Sequence, residues 1–248
     1  MIIIREILQF SYTNKMKLSI SQPAYIPWLG YFDRIDHADL HIVLDHVQFE
    51  RRSFISRNKL QSNTGTQWIT IPVSKGKNGE DSINVIKTLN NEKWIKTHLK
   101  TITQNYSKAP FFEDYFEEFS DLLKEKTNEN NIVKIIEPIN FLILKFLNIK
   151  TPIIYSSKLG IKTKKSDLIR DICLSQEATE YFSGTNGKDY LNLQSFSENN
   201  IKVAFQEYNH PVYYQGQRDF QPYLSILDLI FYHGKESLEI LRKGRNFT

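Results

Sequence analysis

Lys17-Leu18-Ser19-Ile20-Ser21-Gln22, then the amphipathic run from Trp28 to Ala38, then Leu40-His41-Ile42-Val43-Leu44 follow one another in under thirty residues. The first segment alternates and runs into Pro23, whose fixed φ and missing N–H end a central strand. The second carries Leu29, Phe32 and Ile35 at helical spacing, with Pro27 at its start. The third is apolar apart from His41 and short enough to be a strand. Strand, helix, strand is a βαβ unit, expected to be right-handed with parallel strands. The chain therefore reads as α/β, with a largely parallel open sheet that starts in this unit. The Gln22 and Asp45 ends emerge at the same edge, where the loops of such a sheet line a ligand crevice.

The pattern continues outward from there. Gln67 to Val73 is rich in β-branched residues and predicts a third strand, with a turn at Lys77-Asn78-Gly79. From about Asn91 to Asn148 the periodicity is helical and predicts a helical insert. Ile95, Leu99 and Ile102 form one apolar stripe, and Phe112, Tyr115, Phe116, Phe119, Leu122 and Leu123 another. Pro110 and the stretch 127–131 separate successive helices, while Pro138 is expected to kink or split the third. Pro152 to Ser156 reads as a strand, Ser166-Asp167 as the cap of a helix through Ile169, Ile172 and Cys173, and Tyr181-Phe182-Ser183-Gly184 as a strand running into a turn. Ile201 to Tyr208 is another strand. A last helix begins near Tyr223 and stops at Gly234.

The 248 residues are enough for one domain with a real core. Residues 16–248 are read as that domain; Met16 offers an alternative start, and residues 1–15 are expected to form a poorly ordered extension. A single cysteine, Cys173, forms no internal disulfide and fits a reducing compartment, so a cytoplasmic location is expected. The most apolar stretch, residues 132–149, is broken by Lys134, Glu137, Pro138 and Lys145, so no membrane span is predicted. The net charge of +4, from 32 basic and 28 acidic residues, is too mild for a nucleic-acid footprint.

Two loops carry most of the candidate chemistry. In the first, Gln22 supplies an amide that donates and accepts, Tyr25 a hydroxyl on an aromatic face and Trp28 a stacking surface, all held by two prolines; such a set suits a sugar or a nucleobase. In the second, Asp45 is a carboxylate where the backbone leaves the core. Arg51, Arg52 and Arg57 follow it, with guanidinium forks suited to phosphate oxygens, and Gln48 and Asn58 add amides. A surface ion-pair network with Glu50 and Asp45 is the competing reading of this cluster. Ser183 and Gly184 open a glycine-containing loop whose spacing matches neither a P-loop nor a dinucleotide fingerprint. Tyr213 and Gln215 lie in a polar aromatic loop, and Asp228 stands among apolar residues of the last helix, where a core-facing carboxylate must be paired or used. His37, Asp39, His41 and His46 are close in sequence without sharing a face, so no metal is expected. No cofactor can be named from the residues.

At these same positions the chain resembles the WbqC-like family. The matching pieces are the segment from Ser21 to Phe32, Asp45-His46-Val47-Gln48-Phe49 with Arg51-Arg52-Ser53-Phe54 and Arg57-Asn58, then Tyr181 to Gly184, and the segment from Phe220 to Phe231. His46 stands where the family usually has a second acidic residue, and Tyr232-His233 replaces a more usual Asn-containing end. The resemblance implies a bacterial cytoplasmic protein of surface-polysaccharide (O-antigen) biosynthesis and a transferase role on activated sugars, including aminoacyl, glycyl or other acyl transfer to an amino sugar. Combined with the residue reading, it leads to the expectation that Arg51, Arg52 and Arg57 bind the phosphates of a nucleotide sugar. Gln22, Tyr25, Gln48 and Asn58 orient sugar or acyl group, and Asp45 is the general base, with Asp228 as a second-rank alternative. The rival expectation is a non-catalytic sugar-nucleotide or glycan-binding protein; RNA enters only as a charged tRNA donor.

Overall fold

The computed structural model describes residues 15–74, 81–217 and 219–248. Residues 1–14, where the extension was expected, and the turn at Lys77-Asn78-Gly79 lie outside them. Five strands form one sheet: β1 (Lys17–Ser21), β2 (Leu40–Val43), β5 (Ile153–Tyr155), β6 (Glu180–Ser183) and β7 (Lys202–Phe205). Every pairing is parallel, and the order across the sheet is β5-β2-β1-β6-β7. The opening βαβ unit is present, with α1 (Leu29–His37) between β1 and β2. Successive side chains of a strand face opposite ways, so Leu18, Ile20 and Ile42 pack with α5 (Lys165–Ser175) and α6 (Leu193–Glu198) on one side. Ser19 and His41 point to the α1 side, where the Ser19 Oγ lies 2.8 Å from the His41 Nδ1. Burial of about the whole imidazole pushes the His41 pKa down to about 3, so this polar pair is neutral.

Between β2 and β5 the chain leaves the sheet. It forms a hairpin of β3 (Arg57–Ser62) and β4 (Gly65–Thr70), then α2 (Asn91–Tyr106), α3 (Phe112–Glu125) and α4 (Ile132–Phe146). The expected third strand is therefore real but antiparallel to β3 and apart from the main sheet. β3 escaped notice because its buried positions, Asn58, Leu60 and Gln61, include two polar residues, so no apolar alternation marks it. Asn58 faces in to donate to the carbonyls of Tyr25 (3.2 Å) and Ile26 (2.8 Å). That grip holds Ile26 at φ +39°, a left-handed conformation that costs a β-branched residue about 1–3 kcal/mol.

Two further expectations are corrected. The third helix is not split: α4 continues through Pro138, because ten of its residues are buried and this packing outweighs the roughly 3 kcal/mol that an interior proline costs. Ser166 does not cap α5, which starts at Lys165; its hydroxyl instead accepts from the Asn192 N–H. At the C-terminal side, α7 (Ile226–His233) is capped by Ser225, whose Oγ accepts from the Leu227 N–H, and ends at Gly234 (φ +50°). A short α8 (Ser237–Arg242) follows. Both helices, α1 and the inserted helices share the larger core, which contains Phe32, Tyr106, Phe119 and Phe231. The tail then runs antiparallel to β7, with Phe205 and Thr248 exchanging backbone hydrogen bonds at 2.8 and 2.9 Å.

Candidate functional site

From β1 the chain proceeds to β2 and β5 on one side, then crosses to β6 and β7 on the other. The order therefore reverses between β1 and β6, and loops that diverge at such a switch point open a crevice at the carboxyl ends of the strands. A cavity of about 480 Å³ lies there, floored by Arg34 and lined by Ser183, Gly184, Trp28, Tyr208 and Tyr223.

Arg34 projects from α1 and is held by a neutral partner. Its Nη1 donates to the Gln206 Oε1 at 2.8 Å, while the Gln206 Nε2 donates to the Gly30 carbonyl (3.0 Å) and to Asp33 Oδ2 (2.8 Å). Gln206 is thus fixed at both ends and offers its only carbonyl to the guanidinium. Asp33, fully buried, is taken by the Arg245 Nε at 2.8 Å. Among the described residues Arg34 itself has no carboxylate within ion-pair distance, and its Nε is sealed from solvent without a partner. Desolvation pulls its pKa below the ordinary guanidinium value. A shielded cation without a direct ion pair is costly, and an anion entering the crevice offsets that cost. Gly184 keeps the approach open: a methyl there would sit 3.2 Å from the Arg34 Nη1.

One wall of the crevice is aromatic. The Trp28 ring lies so close over Gly30 that any side chain at residue 30 would collide with it. It meets Tyr208 edge-on at 5.3 Å and Tyr223 at 5.4 Å. Tyr223, 54% exposed, is held at φ +61°. Flat faces beside a guanidinium suit a planar base or a sugar face attached to a phosphate.

The residues singled out in the sequence separate into groups. Trp28, Ser183 and Gly184 line this crevice. Gln22 follows β1, half-buried, and its amide has no hydrogen-bond partner among the described residues. Asp45 is buried, and its carboxylate accepts from the Ser157 N–H (2.9 Å), the Ser156 hydroxyl (3.1 Å) and the Ser157 hydroxyl (2.7 Å). Tyr25 is fully buried with its hydroxyl 3.0 Å from the His98 Nδ1, and Asn58 is engaged on the loop backbone as described. The arginines are spread apart: Arg51 and Arg52 are exposed, Arg51 bordering a cavity with Gln48, and Arg57 stacks 4.2 Å over the Trp68 ring. Asp228 is fully buried, where it accepts from the Tyr213 hydroxyl at 3.0 Å and bonds Tyr106. The Gln215 side chain clips both the N–H (2.7 Å) and the carbonyl (3.0 Å) of Gln221. No group of three or more metal-ligating side chains occurs among the described residues.

Three residues went unnoticed. Arg34 looks like any helix charge, and Gln206 stands one residue past β7, where the carboxyl-edge rule applies and would have found it. Glu137 is the third: it lies fully buried on α4, within hydrogen-bond reach of Asn140, and desolvation pushes its pKa up to about 8. Its signal was an acid inside the most apolar stretch of the chain.

The family model described as the WbqC-like protein family matches residues 22–240, a span that runs from the end of β1 into α8 and includes both Arg34 and Gln206. The chain belongs to the WbqC-like protein family. This WbqC-like protein is also 32% identical over 231 residues to a Mycobacterium tuberculosis (strain ATCC 25618 / H37Rv) protein named "Uncharacterized protein Rv1507c", a match covering 92% of this chain and 99% of that relative. No solved structure matches it. No helix among its described residues is long and apolar enough to cross a membrane.

Proposed function

We propose that this WbqC-like protein is a transferase that modifies a nucleotide-activated amino sugar in bacterial surface-polysaccharide (O-antigen) assembly, by aminoacyl, glycyl or other acyl transfer. The observation that carries the reading is Arg34, a half-buried guanidinium without an ion-pair partner among the described residues, at the floor of an aromatic-walled crevice at the switch point. In this reading a phosphate of the nucleotide takes the open edge of Arg34, in a charge-assisted and preferably bidentate contact. Trp28, Tyr208 and Tyr223 stack on base or sugar. The free amide of Gln22, directly after β1, orients the sugar. Asp45 serves the reaction indirectly, because its carboxylate already holds three donors that fix the turn after β5.

A non-catalytic binder of the same ligand is the rival reading, since the same aromatic and amide groups recognise sugars without chemistry. Incubating the full chain with UDP-, dTDP-, GDP- and CMP-linked amino sugars and activated acyl donors, followed by mass spectrometry of the nucleotide sugar, separates the two. A mass gain equal to the acyl group, absent with Arg34→Gln, is expected. Saturable binding with no mass gain across the donors establishes the binder instead.

A further inference from the structure

On the other flank of the carboxyl edge, at the ends of β2 and β5, a second cavity of about 570 Å³ opens between the His46-Val47-Gln48 segment and the start of α5. One wall carries His46, Gln48 and Ser82, and the other Lys162, Lys164 and Lys165. The switch-point crevice uses none of these residues.

The tautomer of His46 follows from the inventory of one hydroxyl. Ser156 Oγ lies 3.1 Å from Asp45 Oδ1, 3.2 Å from the Asp45 N–H and 2.6 Å from the His46 Nδ1. The Asp45 carboxylate, surrounded by donors, accepts only, so the single Ser156 proton goes to it. The Ser156 lone pairs then receive the Asp45 N–H and a proton carried on His46 Nδ1. His46 Nε2 is left with its lone pair; it is solvent-accessible and has no hydrogen-bond partner among the described residues. The ring is thus anchored through Nδ1 and borders the cavity as an acceptor.

The facing wall is cationic and unneutralised. None of the three lysines has an ion pair among the described residues, and the nearest acids on α5, Asp167 and Asp171, are bound by Arg170 at 2.8 and 2.7 Å. Among the described residues no acidic side chain lines the cavity. Three ammonium groups within four residues repel one another until an anion arrives, and they bind phosphate as point charges. An acceptor nitrogen opposite them calls for a ligand that also carries a donor.

We propose that this cavity is a second ligand site, for a hydroxylated phosphate ester: the lysines take the phosphate, and His46 Nε2 accepts a hydrogen bond from an adjacent hydroxyl. The site stands on its own residues and does not depend on the reading of the crevice.

The test uses the full chain with histidine nitrogens labelled, glucose 1-phosphate as probe and inorganic phosphate as comparison. Long-range proton–nitrogen spectra, with the His46 signals assigned by their loss in His46→Gln, should show the Nδ1-protonated tautomer before any ligand is added. Glucose 1-phosphate should move the Nε2 resonance saturably, and the combined variant Lys162→Ala, Lys164→Ala, Lys165→Ala should weaken that binding tenfold or more, with the loss shrinking in high salt as screened charges require. These lysines are exposed, so the variant keeps the fold. Arg34→Gln should leave this titration unchanged, which separates failure here from failure of the crevice. A dominant Nε2-protonated tautomer, a His46 ring unmoved by the sugar phosphate, or inorganic phosphate binding as tightly as the ester would overturn the proposal.

Discussion

Arg34, Gln206 and Asp33 form a hydrogen-bonded chain in which the Arg34 Nε is left without a partner among the described residues. Gln206→Leu removes the amide that serves both neighbours, stranding a buried acceptor and a buried donor. It should lower stability by about 1–3 kcal/mol in urea unfolding, because an unsatisfied buried group costs its full desolvation. Arg245→Met should cost about 3 kcal/mol or more, since it strips Asp33, which has no solvent exposure, of its ion-pair partner among the described residues. Gly184→Ala should leave stability near wild type and weaken ligand binding, because its methyl would crowd the guanidinium rather than backbone. At this scale the sequence was only partly readable. Trp28, Ser183 and Gly184, singled out from their place after strands, line the crevice, yet Arg34 was not singled out because its isolation depends on Gln206, 172 positions away. Tyr25 and Asn58 read as ligand groups because nothing local reveals that α2 and the loop backbone take up their polar atoms.

The helix α4 is the element whose chemistry changes most with pH. Glu137 is nearly fully buried, and its folded pKa of about 8 lies above the ordinary glutamate value, so between those two points the folded state holds a proton that the unfolded state has released. Stability from this group is complete below the unfolded pKa and declines as pH rises toward about 8. Thermal unfolding from pH 5 to 8.5 should show that decline, on the order of a few kcal/mol in all, and Glu137→Gln should flatten it. A curve with the same slope in the variant would remove Glu137 as its source. Elements with hydrophobic periodicity were legible, including the βαβ start, the inserted helices and the last helix. The hairpin strand β3 was not, because its buried positions include a polar residue used for loop anchoring. The unbroken α4 was also misjudged, since local propensity counts the cost of Pro138 but not the packing of the ten buried residues around it.

Over the whole molecule, the order β5-β2-β1-β6-β7 determines where ligands can enter, because it places the reversal between the first strand and the sixth. That edge was anticipated from the opening unit alone. The position of the crevice along it was not, since strand order depends on the crossover after β5. The two flanks of the edge differ in chemistry: a half-buried guanidinium with aromatic faces beside β6, and three lysines opposite an anchored histidine beside β2 and β5. The proposed ligand site is the first of these. Titration calorimetry of the full chain against a panel of nucleotide sugars, run in parallel on Arg34→Gln, measures it directly. Saturable binding of at least one nucleotide sugar by the native chain, weakened about 10- to 100-fold in the variant as the loss of a charged hydrogen bond to phosphate requires, is the predicted result; binding of equal strength in both, or none in either, would contradict it.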